Sequence, residues 1–152
     1  MTGEMDSRII LLVEDNPDDQ KLTLRAMKLT QIPSEVVIAS SRTEALDYLF
    51  RTGQHAGRDL GAMPAIILLD LKLGHESGLD LLRELRSDAR TRLIPVVILT
   101  SSREEEDRLS GYELGANSYV RKPVDFNQFS ETMRALGLYW LLVNEPPPAP
   151  RA

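Results

Sequence analysis

Residues with ionisable or hydroxyl side chains end four short apolar runs of the 152-residue chain. Glu14 and Asp15 follow the first run, Asp70 follows the third, Thr100 ends the fourth, and Lys122 comes just after the fifth. Each has an ordinary explanation when taken alone, such as a helix cap or a solvated loop residue. Ligands of open parallel sheets bind beyond the carboxyl ends of the strands, so the residues together predict one functional site.

This set of residue types is suited to phosphoryl chemistry. Carboxylates crowded at one sheet edge repel each other by ~4 kcal/mol per close pair at an effective dielectric near 20. A hard divalent cation relieves that repulsion, and a set of oxygen ligands completed by water suits Mg²⁺. Lys122 can offset further charge and hold a phosphate. Phosphoryl transfer relies on such positioning and neutralisation, and a carboxylate can itself be the nucleophile, giving an aspartyl phosphate.

Five apolar runs and the helical patterns between them predict the elements that position this site. Most runs are rich in Ile and Val and lack polar alternation, which is typical of strands covered on both faces. The predicted strands are Ile9–Val13, Val36–Ala39, Ala65–Leu69, Val96–Leu99 and Ser118–Val120. The predicted helices begin at Pro17, cover Thr43–Phe50, follow Gly78, cover Glu104–Leu114, and run from Asp125 to Val143.

The alternation of strands and helices predicts a doubly wound α/β domain over residues 8–143, with a five-stranded parallel sheet and helices on both faces. Residues 1–7 are predicted to be an N-terminal extension. Residues 144–152 contain four of the nine prolines and are predicted to be an extended tail. Thr52–Pro64 is a long connection before the third strand.

Composition narrows the class of protein. The chain has a net charge of −5, which argues against a nucleic-acid binder. It has no cysteine, which excludes disulfides, thiolate metal sites and a cysteine nucleophile. The polar N-terminus does not look like a signal peptide, and no apolar run approaches the roughly 18 residues of a membrane span. We therefore expect a cytoplasmic protein that does not enter membranes.

The motifs around these residues resemble the receiver domain of bacterial two-component response regulators over about Arg8 to Val143. The matching motifs, in family order and spacing, are Ile-Leu-Leu-Val-Glu-Asp-Asn-Pro, Leu-Leu-Asp-Leu, Val-Ile-Leu-Thr-Ser-Ser and Asn-Ser-Tyr-Val-Arg-Lys-Pro. The resemblance implies a flavodoxin-like (CheY-like) fold with strand order 2-1-3-4-5. Within the family, the chain is most similar to single-domain regulators partnered with bacterial phytochrome kinases. That similarity lies in the acidic opening from Glu14, the Ala45–Leu49 helix, the long loop and the aromatic end of the last helix.

The resemblance also implies a role for each matching residue. Asp70 would accept a phosphoryl group from a sensor histidine kinase. Asp15, Asp70 and the backbone carbonyl of Lys72 would ligate Mg²⁺, with Glu14 acting mainly through a bound water. Thr100 and Lys122 would contact the phosphoryl group. Tyr119 would be the aromatic switch that turns inward as Thr100 moves.

Two features of the sequence need a separate explanation: the loop after Asp70 and the end of the last helix. Gly74 stands where the family usually has proline, which predicts a looser loop around the Lys72 carbonyl. The last helix has an apolar stripe of Phe129, Met133, Leu136 and Trp140, yet its end is apolar nearly all round. A deeper local core is one interpretation of that end; we favour a self-association or kinase-docking surface, because large exposed apolar patches mark interfaces. The prediction is a homodimer through the fourth helix, the last strand and the fifth helix, with interface residues Tyr112, Phe126, Leu138, Tyr139 and Leu142.

Three functions remain open from the sequence. The favoured one is a stand-alone phosphoacceptor of a two-component phosphorelay that catalyses only its own phosphorylation and dephosphorylation. A Mg²⁺-dependent phosphohydrolase is a second, although such enzymes usually carry an acid two residues after the nucleophile, where this chain has Lys72. The third is a receiver-shaped scaffold that takes no phosphate, against which the intact charged cluster argues.

Overall fold

A computed structural model describes residues 8–58 and 63–148. The predicted extension 1–7 and the end of the predicted tail, 149–152, lie outside the described residues. The strands are β1 (Arg8–Val13), β2 (Ser34–Ala39), β3 (Ile66–Leu69), β4 (Lys72–Leu73), β5 (Glu76–Ser77), β6 (Val96–Thr100) and β7 (Ser118–Arg121). The helices are α1 (Pro17–Thr30), α2 (Arg42–Phe50), α3 (Gly78–Ser87), α4 (Glu105–Glu113) and α5 (Phe126–Gly137). A short 3₁₀ helix covers Gly53–His55 and a π-helix covers Leu138–Val143.

Five of the strands form one parallel sheet in the order β2-β1-β3-β6-β7. Because β4 and β5 form a separate hairpin, this order is the predicted 2-1-3-4-5, and the predicted fold class is confirmed. In the register of the sheet, Val13 pairs with Leu69, and Leu69 pairs with Ile98. The carboxyl ends of β1, β3 and β6 therefore meet at one edge, where Glu14, Asp70 and Thr100 stand.

Each face of the sheet has its own apolar core, as the unbroken apolar runs predict. Alternate residues of β1 point to opposite faces, so Leu11 and Val13 join one core while Ile10 and Leu12 join the other. Helices α2 and α3 cover the first face with Leu49, Leu81, Leu82 and Leu85 among others. Helices α1 and α5 cover the second face with Ala26, Met27, Phe129 and Met133.

The loop after β3 contains a short hairpin with Gly74 at its turn. Lys72–Leu73 and Glu76–Ser77 pair as a two-stranded antiparallel hairpin, and Gly74 takes a φ of +65° at its turn. The hairpin returns the chain so that α3 begins beside β3, where the Gly78 N–H donates to the Leu71 carbonyl at 2.8 Å. A Cβ at Gly78 would collide with the Asp70 carbonyl oxygen, so glycine is required by this close approach.

The end of the last helix differs from the predicted continuous helix. The buried stripe is Phe129, Met133, Gly137 and Leu141, whereas Leu136 and Trp140 are only half-buried against the same core. The reason is the π-helix, whose wider turn places Leu141 rather than Trp140 on the sheet side. Its closing bond runs from the Asn144 N–H to the Tyr139 carbonyl, five residues back, at 2.6 Å.

One arginine joins two connections, the one between α3 and β6 and the one between α4 and β7. Arg86, near the end of α3, donates from Nε to the Gly115 carbonyl at 2.9 Å and from Nη2 to Asn117 Oδ1 at 3.0 Å. Its Nη1 donates to the carbonyls of Arg92 at 3.0 Å and Ile94 at 2.8 Å. The chain leaving α3 and the chain leaving α4 are thus held on one guanidinium.

The long connection before β3 is partly anchored to α2. Arg58 lies over the ring of Tyr48, with its guanidinium carbon 4.0 Å from the ring centroid, and donates from Nε to the Tyr48 carbonyl at 2.8 Å.

Within residues 8–58 and 63–148, no helix combines the length and apolar character needed to cross a lipid bilayer.

Candidate functional site

The ammonium of Lys122 lies between three carboxylates. Its Nζ is 2.6 Å from Glu14 Oε1, 2.8 Å from Asp19 Oδ2 and 2.8 Å from Asp70 Oδ2. All three contacts have hydrogen-bond geometry, so Lys122 donates to Glu14, Asp19 and Asp70. An ammonium has three N–H bonds. Every one of them is therefore directed at a carboxylate.

The sheet brings these groups together from distant parts of the sequence. Glu14 follows β1, Asp70 follows β3, and Lys122 follows β7, where its N–H donates to the Thr100 carbonyl at 2.7 Å. The Glu14 side chain is 3% exposed, Asp70 is 11% exposed and Lys122 is 12% exposed. Removing one partner of such buried pairs leaves an uncompensated charge, so the three groups depend on one another.

Burial and the shared ammonium shift the pKa values of these groups in opposite directions. Burial raises the pKa of Glu14 to about 7, against the opposing effect of its bond to Lys122. Burial also acts to raise the pKa of Asp70, but the hydrogen bond and charge of Lys122 outweigh it and leave that pKa lowered. The three carboxylates outweigh the desolvation of Lys122 and raise its pKa. Asp70 is therefore held as an anion beside a permanent cation.

Asp15 faces away from this ammonium-centred cluster. It is exposed, and its Oδ2 accepts the Gly74 N–H at 2.9 Å, which joins the end of β1 to the hairpin turn. The hairpin also approaches Asp70 directly, because the Lys72 N–H donates to Asp70 Oδ1 at 3.3 Å. Asp15 and Lys72 thus flank Asp70 on the hairpin side, and Lys122 contacts its other oxygen.

Thr100 and Tyr119 lie on the neighbouring strands β6 and β7. Thr100 is buried, and its Oγ1 accepts the Ser102 N–H at 3.3 Å. The Tyr119 ring is partly buried, and its hydroxyl is enclosed without a hydrogen-bond partner among the described residues. Burial raises the pKa of that hydroxyl, although the nearby Ser102 side chain acts to lower it. Gly111 of α4 packs here, since a Cβ on it would lie 3.4 Å from Tyr119 Cδ2.

Asp19 was not predicted as a site residue, although it belongs to the acidic opening that begins at Glu14. Asn16 caps α1, accepting the N–H groups of Asp18 and Asp19 on its Oδ1 at 2.9 and 3.3 Å, and so sets the first turn against the site. The sequence signal that could have identified it is its position: Asp19 is a carboxylate about one helical turn after Glu14 and Asp15, the acids that follow β1.

The predicted interface residues divide into two groups. Tyr112, Leu138, Tyr139 and Leu142 are exposed, with 51%, 41%, 49% and 59% of their surface accessible. Phe126 is half-buried, packs against the α1–α5 core, and has the Arg25 guanidinium carbon 4.5 Å from its ring centroid. Its contacts are intramolecular because it begins α5 beside α1.

The donor chemistry of the site fits a hard divalent cation. Glu14, Asp19 and Asp70 bring carboxylate oxygens within 4.8 Å of one another around the Lys122 ammonium, and Asp15 adds a further carboxylate at the end of β1, on the hairpin side. Only one ammonium contacts this acidic cluster in the described part of the chain. The carboxylates therefore carry more negative charge than this ammonium neutralises. Hard divalent cations such as Mg²⁺ bind to oxygen ligands of this kind.

Comparisons with known proteins agree with this geometry. The family model of the response regulator receiver domain matches residues 10–134. Response regulator Rcp1 of Synechocystis sp. is 31% identical over 134 residues, 88% of this chain and 89% of that protein. Its Mn²⁺-bound structure superposes with a TM-score of 0.83 at 30% identity, covering 93% of this chain and 99% of that one.

Two further solved structures are similar over nearly the whole chain. The phosphorylated cyanobacterial phytochrome response regulator RcpA has a TM-score of 0.86 and 34% identity, covering 93% of this chain and 99% of that one. The bacteriophytochrome response regulator AtBRR is 52% identical with a TM-score of 0.73, covering 92% and 99%. With its parallel sheet and acidic strand ends, the chain belongs to the response regulator receiver domain family of two-component systems.

Proposed function

We propose that this chain is a phosphorylation-controlled signalling protein whose phosphoacceptor is Asp70. The observation that carries the proposal is the position of Asp70 Oδ2, 2.8 Å from the Lys122 ammonium. The pKa of Asp70 is lowered there, so the carboxylate is available as an anionic nucleophile at neutral pH. Nucleophilic carboxylates that form aspartyl phosphates need this combination of ionised oxygen and nearby positive charge.

In the proposed reaction, an oxygen of Asp70 attacks the phosphorus of a phosphohistidine on a sensor histidine kinase. A P–O bond forms and the P–N bond breaks. The histidine nitrogen keeps the electron pair of that bond and takes a proton from solvent. Lys122 neutralises charge on the transferred group, while the Lys72 N–H, bonded to Asp70 Oδ1, fixes the orientation of the carboxylate.

Asp15, Asp70 and the Lys72 carbonyl are the residues we propose to hold Mg²⁺, with Glu14 contributing through water. When bound, the ion neutralises charge on the phosphoryl oxygens. Asp15 is exposed beside the hairpin and can turn from Gly74 toward the ion. Asp70 keeps an oxygen directed at the hairpin side, where the ion would lie.

We propose that Thr100 and Tyr119 convert phosphorylation into a change of shape. Thr100 ends the strand next to β3 and can turn its hydroxyl to a phosphoryl group on Asp70. The enclosed hydroxyl of Tyr119 makes no well-formed hydrogen bond among the described residues, which supports a second position of that ring, since buried polar groups without good partners are costly. A phosphoryl group that binds one arrangement better than the other shifts the balance between them.

Intact-mass spectrometry with an acyl phosphate donor and Mg²⁺ tests the phosphoacceptor directly. We expect the wild type to gain the mass of one phosphoryl group, and Asp70→Asn to gain none. Asp80→Asn is the matched control because Asp80 is an exposed aspartate of α3, where it pairs with Arg83. Absence of the adduct in the wild type, or its persistence in Asp70→Asn, would refute the assignment.

We propose a phytochrome-type histidine kinase as the partner that supplies the phosphoryl group. The support is similarity to RcpA and AtBRR, whose names state a phytochrome connection. A phosphotransfer profile tests it: the chain is incubated with a panel of phosphorylated kinases at equal concentration. We expect the fastest transfer from a phytochrome-type kinase, and equal or faster transfer from kinases of other classes would refute the assignment.

We also propose that the chain forms a homodimer through α4, β7, α5 and the following π-helix. The exposed apolar residues Tyr139 and Leu142 support this surface, because large exposed apolar patches mark interfaces. Light scattering is expected to give the dimer mass for the wild type and the monomer mass for Leu142→Glu. Leu93→Glu, at another exposed leucine, is the control. A monomer mass for both the free and phosphorylated wild type would refute the dimer.

A further inference from the structure

All three N–H bonds of the Lys122 ammonium are already used, although Lys122 is proposed to contact the phosphoryl group on Asp70. Its three N–H bonds point to Glu14, Asp19 and Asp70. A phosphoryl group on Asp70 needs at least one of them, so one present partner must give way. Which carboxylate yields determines how readily the site accepts the phosphoryl group.

The three carboxylates differ in how easily they can be released. Glu14 is 3% exposed and Asp70 is 11% exposed, whereas the Asp19 side chain is 35% exposed. Glu14 is additionally held by the Asn16 N–H, which donates to its Oε2 at 3.1 Å. Asp19 stands on the first turn of α1 and can be rehydrated without unpairing a buried group. Ion pairs with this exposure are the weakest of the set.

The same geometry indicates that Asp19 serves Lys122 rather than a metal ion. The ammonium nitrogen already lies within 2.8 Å of oxygens from Glu14, Asp19 and Asp70, so a cation occupies the space that they share. Asp15 and the other oxygen of Asp70, Oδ1, face the hairpin instead. Asp19 thus lies with the ammonium, away from the hairpin side of Asp70.

We propose that Asp19 is a positioning residue that holds Lys122 in the unphosphorylated state and competes with the phosphoryl group for one of its N–H bonds. This inference rests on the proposed function of Asp70. It predicts that neutralising Asp19 favours the phosphoryl-bound state, because the competitor for the ammonium becomes weaker and one repelling charge is removed. The other two partners of Lys122 remain in place.

Binding of beryllofluoride, a phosphoryl mimic, to the Mg²⁺-loaded chain measures this competition at equilibrium. We expect Asp19→Asn to bind beryllofluoride about threefold to tenfold more tightly than the wild type, the range of one partly exposed ion pair. Asp18→Asn is the matched control, since Asp18 is an exposed aspartate of the same turn. Asp19→Glu, which restores the charge, is expected to return toward wild-type affinity.

The alternatives give different results. Tightening of less than about threefold by Asp19→Asn, or equal tightening by Asp18→Asn, overturns the inference. A loss of Mg²⁺ affinity of more than about threefold, measured by calorimetry, also overturns it because Asp19 would then be a metal ligand. If Asp19→Asn does not fold by circular dichroism, Asp19→Ser takes its place. Failure of the wild type to bind beryllofluoride would refute the proposed function of Asp70 itself.

Discussion

The raised pKa of Glu14 predicts that the metal-free protein loses stability as the pH rises. Burial places this pKa at about 7, above its ordinary value of 4.5. Between these values the folded chain holds a proton that the unfolded chain has lost. The stabilising contribution of Glu14 is therefore greatest below pH 4.5, declines through pH 7, and is constant above it.

The size of the effect follows from the two pKa values. One pKa unit corresponds to about 1.4 kcal/mol, so the change from 4.5 to about 7 gives a limit of about 3 kcal/mol. Between pH 5 and pH 8, Glu14 should lower the free energy of unfolding by about 2 to 3 kcal/mol. Asp70 does not oppose this change because its lowered pKa leaves it ionised throughout that interval. Lys122, with a raised pKa, stays charged.

Glu14→Gln removes the titrating group while retaining its shape. Urea unfolding in EDTA, followed by the fluorescence of the single tryptophan, Trp140, gives the free energy at each pH. We expect the wild type to lose about 2 to 3 kcal/mol more than Glu14→Gln between pH 5 and pH 8. Glu131→Gln, at an exposed glutamate of α5, should follow the wild type. Curves for wild type and Glu14→Gln that stay parallel within about 0.5 kcal/mol would refute the reasoning.

Three other substitutions test separate parts of the structure. Lys122→Met should lower the free energy of unfolding in EDTA at pH 8 by about 3 to 5 kcal/mol because it leaves buried carboxylates unpaired; a loss below about 1 kcal/mol would contradict the ammonium-centred cluster. Gly78→Ala should lower both stability and Mg²⁺ affinity, since its Cβ would press on the Asp70 carbonyl, and calorimetry showing wild-type affinity would exclude that contact. Arg86→Met should cost about 2 to 4 kcal/mol in urea unfolding through the carbonyls it leaves unpaired. A decrease in the free energy of unfolding of less than about 0.5 kcal/mol would show that the hydrogen bonds of Arg86 do not stabilise the fold.

The sheet and its edge were predictable because burial on both faces dictates sequence directly. Ile66–Leu69 and Val96–Thr100 are buried at every position, which leaves no room for polar alternation. Once five such strands are parallel, the positions of Glu14, Asp70 and Lys122 follow from where each strand stops. Residue type and chain order therefore predicted the parallel sheet and the neighbourhood of the site, whereas the order of the strands was implied by the resemblance to the receiver family.

Features that depend on side-chain geometry or on small local differences were not predictable. The contact of Asp19 with Lys122 joins residues 103 positions apart, and it depends on how the Asn16 cap turns α1. The hairpin after β3 has only two residues in each strand, too few for a periodic signal. At the end of the last helix, Leu141 is buried in place of the predicted Trp140 because a π-helix begins at Leu138. The sequence there is apolar on all sides, so it does not indicate which face is buried.

The two ends of α4 are tied to different parts of the molecule. Its last turn leads into Gly115, whose carbonyl is bonded to Arg86 and so to the body of the domain. Its first turn is bonded to Ser102, which donates to Asp107 Oδ2 at 2.7 Å and accepts the Glu104 N–H at 3.2 Å. Ser102 stands two residues after Thr100. If Thr100 turns toward a phosphoryl group as proposed above, we expect the first turn of α4, which is bonded to Ser102, to move more than the last turn, which leads to the Arg86 contact.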